Sequence, residues 1–452
     1  MGNEMMNLAE IAPILEADLV GENVSFGAVS TDSRKIAKGD LFVALDGERF
    51  RGSDFLPEAA AAGAVAAIVG EKVDSEIPLL VVKDTLIALG RLAANWRSRF
   101  SIPVVAVTGS NGKTTVKEMI ASILGTVGEV LATQGNLNND IGLPLTLLGL
   151  GDHHRFAVVE MGMNHAGEIA YLCKIANPDV ALVNNAASAH LEGLGSVYDV
   201  ARAKGELFEN LREGAIAVIN AEDPHAPLWR ELAGNRKKIE FGLEGKDVRA
   251  KFLLHRSGSD LSMFTPQGEI GVSLCVPGLH NVRNALAATA VCCALGIPCA
   301  NIAKGLSQFG GVPGRMQIGK GRNGALLVND TYNANPDSVR AAISWLASQP
   351  GKRILVLGDM GELGSESASL HAQIGLDAKR AGIDCLLTLG EASRKAAESF
   401  GEGAQSFSEA AEIAIAANSR MGPEVTALVK GSRFMRMEKV VEKMEGEGSS
   451  CC

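Results

Sequence analysis

The stretch VVAVTGSNGKTTVKEMIASIL, Val104 to Leu124, constrains the fold more than any other part of the chain. Val104–Val107 is an uninterrupted apolar run, as expected of a strand buried on both faces. Thr115–Leu124 carries its apolar residues at helical spacing. Between them the turn Gly109-Ser110-Asn111-Gly112 must reverse the chain sharply. Strand, glycine turn and helix in that order demand an α/β unit with a largely parallel sheet. The same turn points several backbone N–H groups at a helix N-terminus, where they suit phosphate oxygens.

A full phosphate-binding loop reads glycine, four residues, then Gly-Lys-Ser/Thr, and here Val107 stands in place of the first glycine. The rest is present, so Gly109, Ser110, Asn111, Gly112 and Thr115 are the expected cradle. Lys113 would reach the terminal phosphates of ATP, and the Thr114 hydroxyl would ligate Mg²⁺. A magnesium–phosphate site wants carboxylate help from another strand. FAVVE ends in Glu160, and DVALVNN leads on to His190. Both fall at the ends of strands, on the side where parallel sheets hold ligands, and both are candidate metal ligands. Lys204, in DVARAKGELFENL, reads from composition alone as a helix-surface lysine. Asn281 and Asn284 lie three apart near a helix start, placed either to bond a purine or to cap the helix.

Apolar runs divide the chain into three units. DLFVAL, AVAAIV and PLLVV, with helices at Phe55–Ala62 and from Asp84 to about Arg99, make a small α/β unit over residues 1–100. The phosphate loop opens a second unit, 101–314, with further strands at FAVVEMG, DVALVNN and AIAVINAED, a turn-rich stretch from Arg249 to Leu279, and a helix from Asn281 to Leu295. Glycine and proline cluster at GGVPGRM, and ALLVND, RILVLGD, CLLTLG and TALVKG follow it in a third unit, 315–452. Arg315, Asp330, Asn333 and Asn335 gather at that second boundary, where a cleft is expected. Asp359 ends another strand of the third unit.

A net charge of -9 argues against a nucleic-acid partner. No apolar run is long enough to span a bilayer, and the N-terminus reads as a short amphipathic helix, so no membrane insertion is expected. The eight cysteines lack metal-site spacing; Cys292 and Cys293 read as buried packing thiols, and Cys451 and Cys452 end a tail of disordered character. The expectation is a cytoplasmic monomer.

Taken together, TGSNGKTT, EMGMNHAGEI, NNAASAHLEGLGS, AKGELF, GLHNVRNALAA and NDTYNANPDSV resemble the Mur ligase family, the ATP-dependent amide-forming enzymes of peptidoglycan synthesis. The resemblance implies a small N-terminal α/β domain for a uridine nucleotide, a central parallel-sheet P-loop ATPase domain and a C-terminal Rossmann-like domain that closes over ATP and takes the amine acceptor. It places the family's phosphate-loop lysine on Lys113 and its metal ligands on Thr114, Glu160 and His190. It puts a carbamylated lysine at Lys204, reversing the compositional reading. It also assigns Asn281 and Asn284 to adenine, Arg315 and Asp330 to ATP, Asn138 to the phosphate and metal region, and Ser33 and Arg34 to the uridine nucleotide. Asn333, Asn335 and Asp359 become acceptor contacts. Within the family, NDTYNANP and LGDMGELGSESASLHAQIG imply addition of D-alanyl-D-alanine to UDP-N-acetylmuramoyl tripeptide through an acyl phosphate. The alternatives are a sister ligase adding the third peptide residue, a folylpolyglutamate synthase-like ligase, or a nucleotide-regulated binding protein.

Overall fold

The computed structural model describes residues 4–187 and 195–446. His190 and the Cys451–Cys452 tail lie outside them. Three sheets of five or six strands account for most of the architecture. The first has the order Asp18–Val20, Leu79–Val81, Ala66–Val69, Asp40–Val43, Ala28–Ser30, parallel except for the first pair. Helix Thr85–Ser98 follows it, started by Asp84, whose side chain accepts from the Ile87 N–H. That helix docks the first unit on the second: Trp96 donates to the Leu150 carbonyl at 3.0 Å, and Arg97 to the Ala176 carbonyl at 3.2 Å.

The central sheet has six parallel strands in the order Lys237–Phe241, Ile216–Asn220, Val180–Val183, Val104–Thr108, Phe156–Glu160, Val130–Ala132. Its four inner strands are nearly continuous apolar runs because both faces are covered. Val104 and Ala106 enter the core shared with the first unit, while Val105 and Val107 pack beneath helices Lys113–Gly125 and Leu279–Ala294. The turn-rich stretch after Arg249 is an antiparallel meander, Arg249–Leu254, Ser259–Thr265 and Gly268–Leu274. Cys292 and Cys293 are buried as expected, and desolvation raises both thiols.

The third sheet runs Gln317–Lys320, Leu326–Asp330, Val425–Lys430, Lys352–Gly358, Cys385–Leu389, Ala404–Phe407, parallel after its antiparallel first pair. The edge strands of the three large sheets were not legible from periodicity: Asp18–Val20, Ala28–Ser30, Val130–Ala132, Lys237–Phe241, Gln317–Lys320 and Ala404–Phe407 are too short or too polar to give an apolar run, as are Met6–Asn7 and Ser25–Phe26 of the small two-stranded sheet. One tie from the meander reaches this sheet, Arg256 donating to the Thr426 hydroxyl at 3.2 Å.

Helix Cys299–Gln308 lies against the back of helix Lys113–Gly125 at van der Waals limits. A Cβ on Gly305 would stand 2.3 Å from the Ile123 Cα, and Ser122 donates to the Gly305 carbonyl at 2.7 Å. Gly305→Ala should therefore force the two helices apart and destabilise the fold by about 1–3 kcal/mol. A lower urea midpoint with an unchanged slope is the expected reading; an unchanged midpoint would show that the crossing yields freely.

Candidate active site

Strand Val104–Thr108 has Phe156–Glu160 on one side and Val180–Val183 on the other. The chain builds one side of the sheet before crossing to the other, so a crevice opens at the C-terminal end of this strand. The glycine turn sits there. Gly112 caps the helix with φ 80°, a left-handed conformation that costs glycine little. A Cβ on it would lie 2.5 Å from Asn284 Oδ1 and 2.7 Å from Asn184 Nδ2.

Those asparagines clamp the loop. Asn184 Nδ2 donates to the Asn111 carbonyl at 2.9 Å and to Asn284 Oδ1 at 3.2 Å. Asn185 Oδ1 accepts from the Asn111 N–H at 2.8 Å, and the Ser110 hydroxyl accepts from the Ala187 N–H at 2.9 Å. Asn281 donates to the Pro277 carbonyl and accepts from Asn284. Both members of that pair are buried and line the crevice, bonded to each other, with Asn284 reaching the loop through Asn184; the N-cap position belongs to Gly278. Asn184 and Asn185 escaped notice in the sequence, although they end an apolar strand as Glu160 does.

Glu160 is 2% exposed, and both its oxygens are directed. Oε2 accepts from the Thr114 hydroxyl at 2.8 Å and Oε1 from Asn138 Nδ2 at 2.7 Å, while its N–H donates to the Thr133 hydroxyl. The Thr114 oxygen in turn accepts from Arg315 Nη2 at 2.9 Å, which carries the network across to the third unit. Lys113 folds its ammonium onto the Gly109 carbonyl at 2.7 Å. Burial lowers its pKa, with Glu160 opposing and Arg315 reinforcing the shift. Lys204 is not a surface residue: it is 1% exposed, inside helix Val197–Glu209. Burial pushes its pKa well below the usual lysine range, the nearby Lys113 charge adds to this, and Glu160 counters it.

On the third-unit side the Arg315 guanidinium stacks on the Tyr332 ring, 4.2 Å from its centre. Asp330 accepts from the Met316 N–H at 3.1 Å and from Lys430 at 2.6 Å. Asn335 does two things at once: its oxygen caps helix Pro336–Ala347 through the Ser338 N–H, and its Nδ2 donates to Asn111 Oδ1 at 2.8 Å. These groups, with Asn333, line one cavity of about 630 Å³ between the second and third sheets. Asp359 does not join them. Its carboxylate accepts from the Ser393 and Ala392 N–H groups at 2.7 and 3.3 Å, and Glu362 lines the cavity instead. Lys430 and Arg433 also line it and were missed, although Lys430 ends the TALVK run at the same sheet edge. Ser33 and Arg34 lie apart on the first unit, Ser33 donating to Glu58 and Arg34 clasping Asp32 through two nitrogens.

Comparison with known proteins agrees with this layout. The Mur ligase family catalytic domain matches residues 25–97, the Mur ligase middle domain 107–292, and the glutamate ligase domain of Mur ligases 314–433. The UDP-N-acetylmuramoyl-tripeptide–D-alanyl-D-alanine ligase of Escherichia coli is 44% identical over 449 residues, spanning 98% of this chain and 99% of its own. The crystal structure of MurF from Acinetobacter baumannii superposes with a TM-score of 0.92 at 37% identity, over 97% of this chain and 99% of that one. The MurF ligase of Thermotoga maritima, solved in complex with ADP, superposes with a TM-score of 0.82 at 31% identity, over 92% and 96%. Across three sheets and the loop that joins them, this chain is a member of the Mur ligase family.

Proposed function

We propose that the protein adds D-alanyl-D-alanine to UDP-N-acetylmuramoyl tripeptide, spending ATP and giving the pentapeptide, ADP and phosphate. The observation that carries this reading is the shared Thr114 hydroxyl, which links the phosphate loop, a buried carboxylate and an arginine of the third unit in one network. The full-length relatives supply the substrate class. On this reading residues 1–100 hold the uridine nucleotide, 101–314 hold ATP, and 315–452 close over both and receive the dipeptide. The exposed Arg34–Asp32 pair is worth little in water, so its guanidinium can be given up to a diphosphate.

The donor set fits Mg²⁺. Among the described residues no three His, Cys, Asp or Glu side chains gather into a cage. One carboxylate and one hydroxyl at a phosphate loop are instead what an ion held largely by nucleotide oxygens and water requires. Glu160 and Thr114 would hold it, with His190 as a further ligand, and the ion would neutralise charge on the transferring phosphoryl group.

The chain's own groups do the rest. A carboxylate oxygen is a poor leaving group, so the tripeptide terminus must first take the γ-phosphoryl group to become an acyl phosphate. Lys113 leaves the Gly109 carbonyl to meet that phosphate, and the N–H groups of the turn hold its oxygens in place. Arg315 approaches from the opposite wall, so closure of the third unit completes the charge balance and excludes water from the acyl phosphate. The dipeptide amine then attacks the acyl carbon, and the tetrahedral adduct breaks its C–O bond to phosphate, which leaves as hydrogen phosphate carrying the proton that the nitrogen gives up. Asn281 and Asn284 keep the loop in shape beside the adenine.

Lys204 enters as a carbamate. Its depressed pKa leaves a larger share of neutral amine, the form whose nitrogen bonds CO₂ and releases a proton. The product is an anion where an ammonium would repel both Lys113 and a metal.

Lys113→Ala should lower kcat about 100-fold with little change in thermal melting, because the loss is of charge at the transferring group rather than of core. Near-normal turnover in a phosphate-release assay would refute the role. Lys204→Ala should be nearly inactive and recover in part with added formate or acetate. A carbamate signal from ¹³C-bicarbonate, present in the parent protein and absent in the variant, completes the test; its absence from the active parent would sink the modification. Mass detection of the pentapeptide from all three substrates tests the reaction itself.

A further inference from the structure

Among the described residues five Lys and Arg side chains line the cavity. Lys113 and Arg315 belong to the phosphate loop. Lys430 is neutralised by Asp330 at 2.6 Å, and Arg283 is turned to Glu222 at 3.2 Å. The fifth is Arg433, on the 3₁₀ turn Arg433–Met435 that follows the last strand of the third sheet. It is paired to Glu438 at 3.0 Å, but the two side chains are 64% and 32% exposed, so the pair is weak and the guanidinium is available to another anion.

Ser432 makes this corner a built site. It is 4% exposed and ties three strand-end loops together. Its hydroxyl accepts from the Gly361 N–H at 2.8 Å and donates to the Ala334 carbonyl at 3.0 Å, and its N–H donates to the Asp359 carbonyl at 3.0 Å. The middle loop has a second anchor, the buried His371 ring, whose Nε2 accepts from the Met360 N–H at 2.9 Å and whose Nδ1 faces the Ser367 carbonyl at 2.7 Å. The loop so held presents Glu362 to the cavity with a left-handed φ of 61°. Glu362 and Arg433 thus line the same cavity from the two sides of the Gly361–Ser432 bond, Glu362 directly after Gly361 and Arg433 directly after Ser432.

We infer that Arg433 is the residue that selects an acceptor with a free terminal carboxylate, and that the dipeptide enters amine first. This rests on the ligase reading above. The amine must reach the acyl phosphate beside Lys113, and an extended dipeptide puts its carboxylate about 7 Å away. Arg283 is also held only by a part-exposed pair, but it stands beside Asn284 in the central unit, so on the third-unit wall the carboxylate is left to Arg433, whose planar fork matches it in two parallel hydrogen bonds.

The test compares D-alanyl-D-alanine with D-alanyl-D-alaninamide, which keeps the amine and both methyls but lacks the charge. The parent enzyme should prefer the acid strongly. Arg433→Met should lose about 10- to 100-fold in kcat/KM for the acid, mainly through KM, and little for the amide. The KM values for ATP and the UDP-tripeptide should stay put, and Arg433→Lys should restore part of the preference. Glu438→Gln, which removes the surface pair alone, should leave selectivity intact. An Arg433→Met enzyme that still prefers the acid as the parent does would overturn the assignment with the ligase reading standing, as would loss of selectivity in Glu438→Gln. A parent enzyme that makes no pentapeptide would overturn both.

Discussion

One hydroxyl holds the active crevice together. The Thr114 oxygen gives its proton to Glu160 and takes one from Arg315, so a single atom joins the first turn of a helix, the end of a neighbouring strand and the far side of the cavity. Glu160 is buried, and a buried carboxylate persists only where its oxygens are bonded. Thr114 and Asn138 supply those bonds. The registry of the central sheet follows from the same need, since Glu160 pairs with Val107 and thereby stands beside the start of the loop.

Charge in the site is arranged as an imbalance. Lys113, Lys204 and Arg315 surround Glu160, and the two buried lysines have pKa values lowered by desolvation. Around this carboxylate that is a local cationic excess, which suits the polyphosphate of the proposed nucleotide, although the cavity as a whole is lined by five Lys and Arg against five Asp and Glu among the described residues. The local excess is poorly suited to standing alone in a low-dielectric interior.

The sequence made the sheets legible wherever burial on both faces produced an unbroken apolar run, as at Val104–Val107 and Ile354–Leu357. Short edge strands carried no such signal. The site was legible where a special residue type met a special backbone, as in Gly112-Lys113-Thr114. Lys204 was opaque because nothing in AKGELF reveals that its helix turns this lysine inward; only the packed fold does. Asp359 misled for the opposite reason. It ends a strand facing the crevice, yet the start of the segment Ala392–Ser393 offers two unsatisfied N–H groups that take up its carboxylate first. Strand-end position is a fair guide to which side of a sheet a residue serves, and a poor one to whether its side chain is already engaged.

Among the described residues, three bonds reach across the cleft from the third unit, Asn335 to Asn111, Arg315 to Thr114 and Arg256 to Thr426, each between two side chains, while the backbone bonds Tyr332 N–H to the Gly314 carbonyl and Arg315 N–H to the Val312 carbonyl stay at the chain crossing itself. No shared ladder or helix would have to break for the two halves to part. Each such bond is worth about 0.5–1.5 kcal/mol net, rising to about 3 where a charge takes part. Asn335 keeps its cap on helix Pro336–Ala347 whether or not it reaches Asn111. Gly314 and Met316, flanking the crossing, both sit at positive φ of 71° and 49°. The molecule is thus jointed like a clasp, with a short pivot held by backbone bonds and a catch across the cleft in which side chains meet side chains.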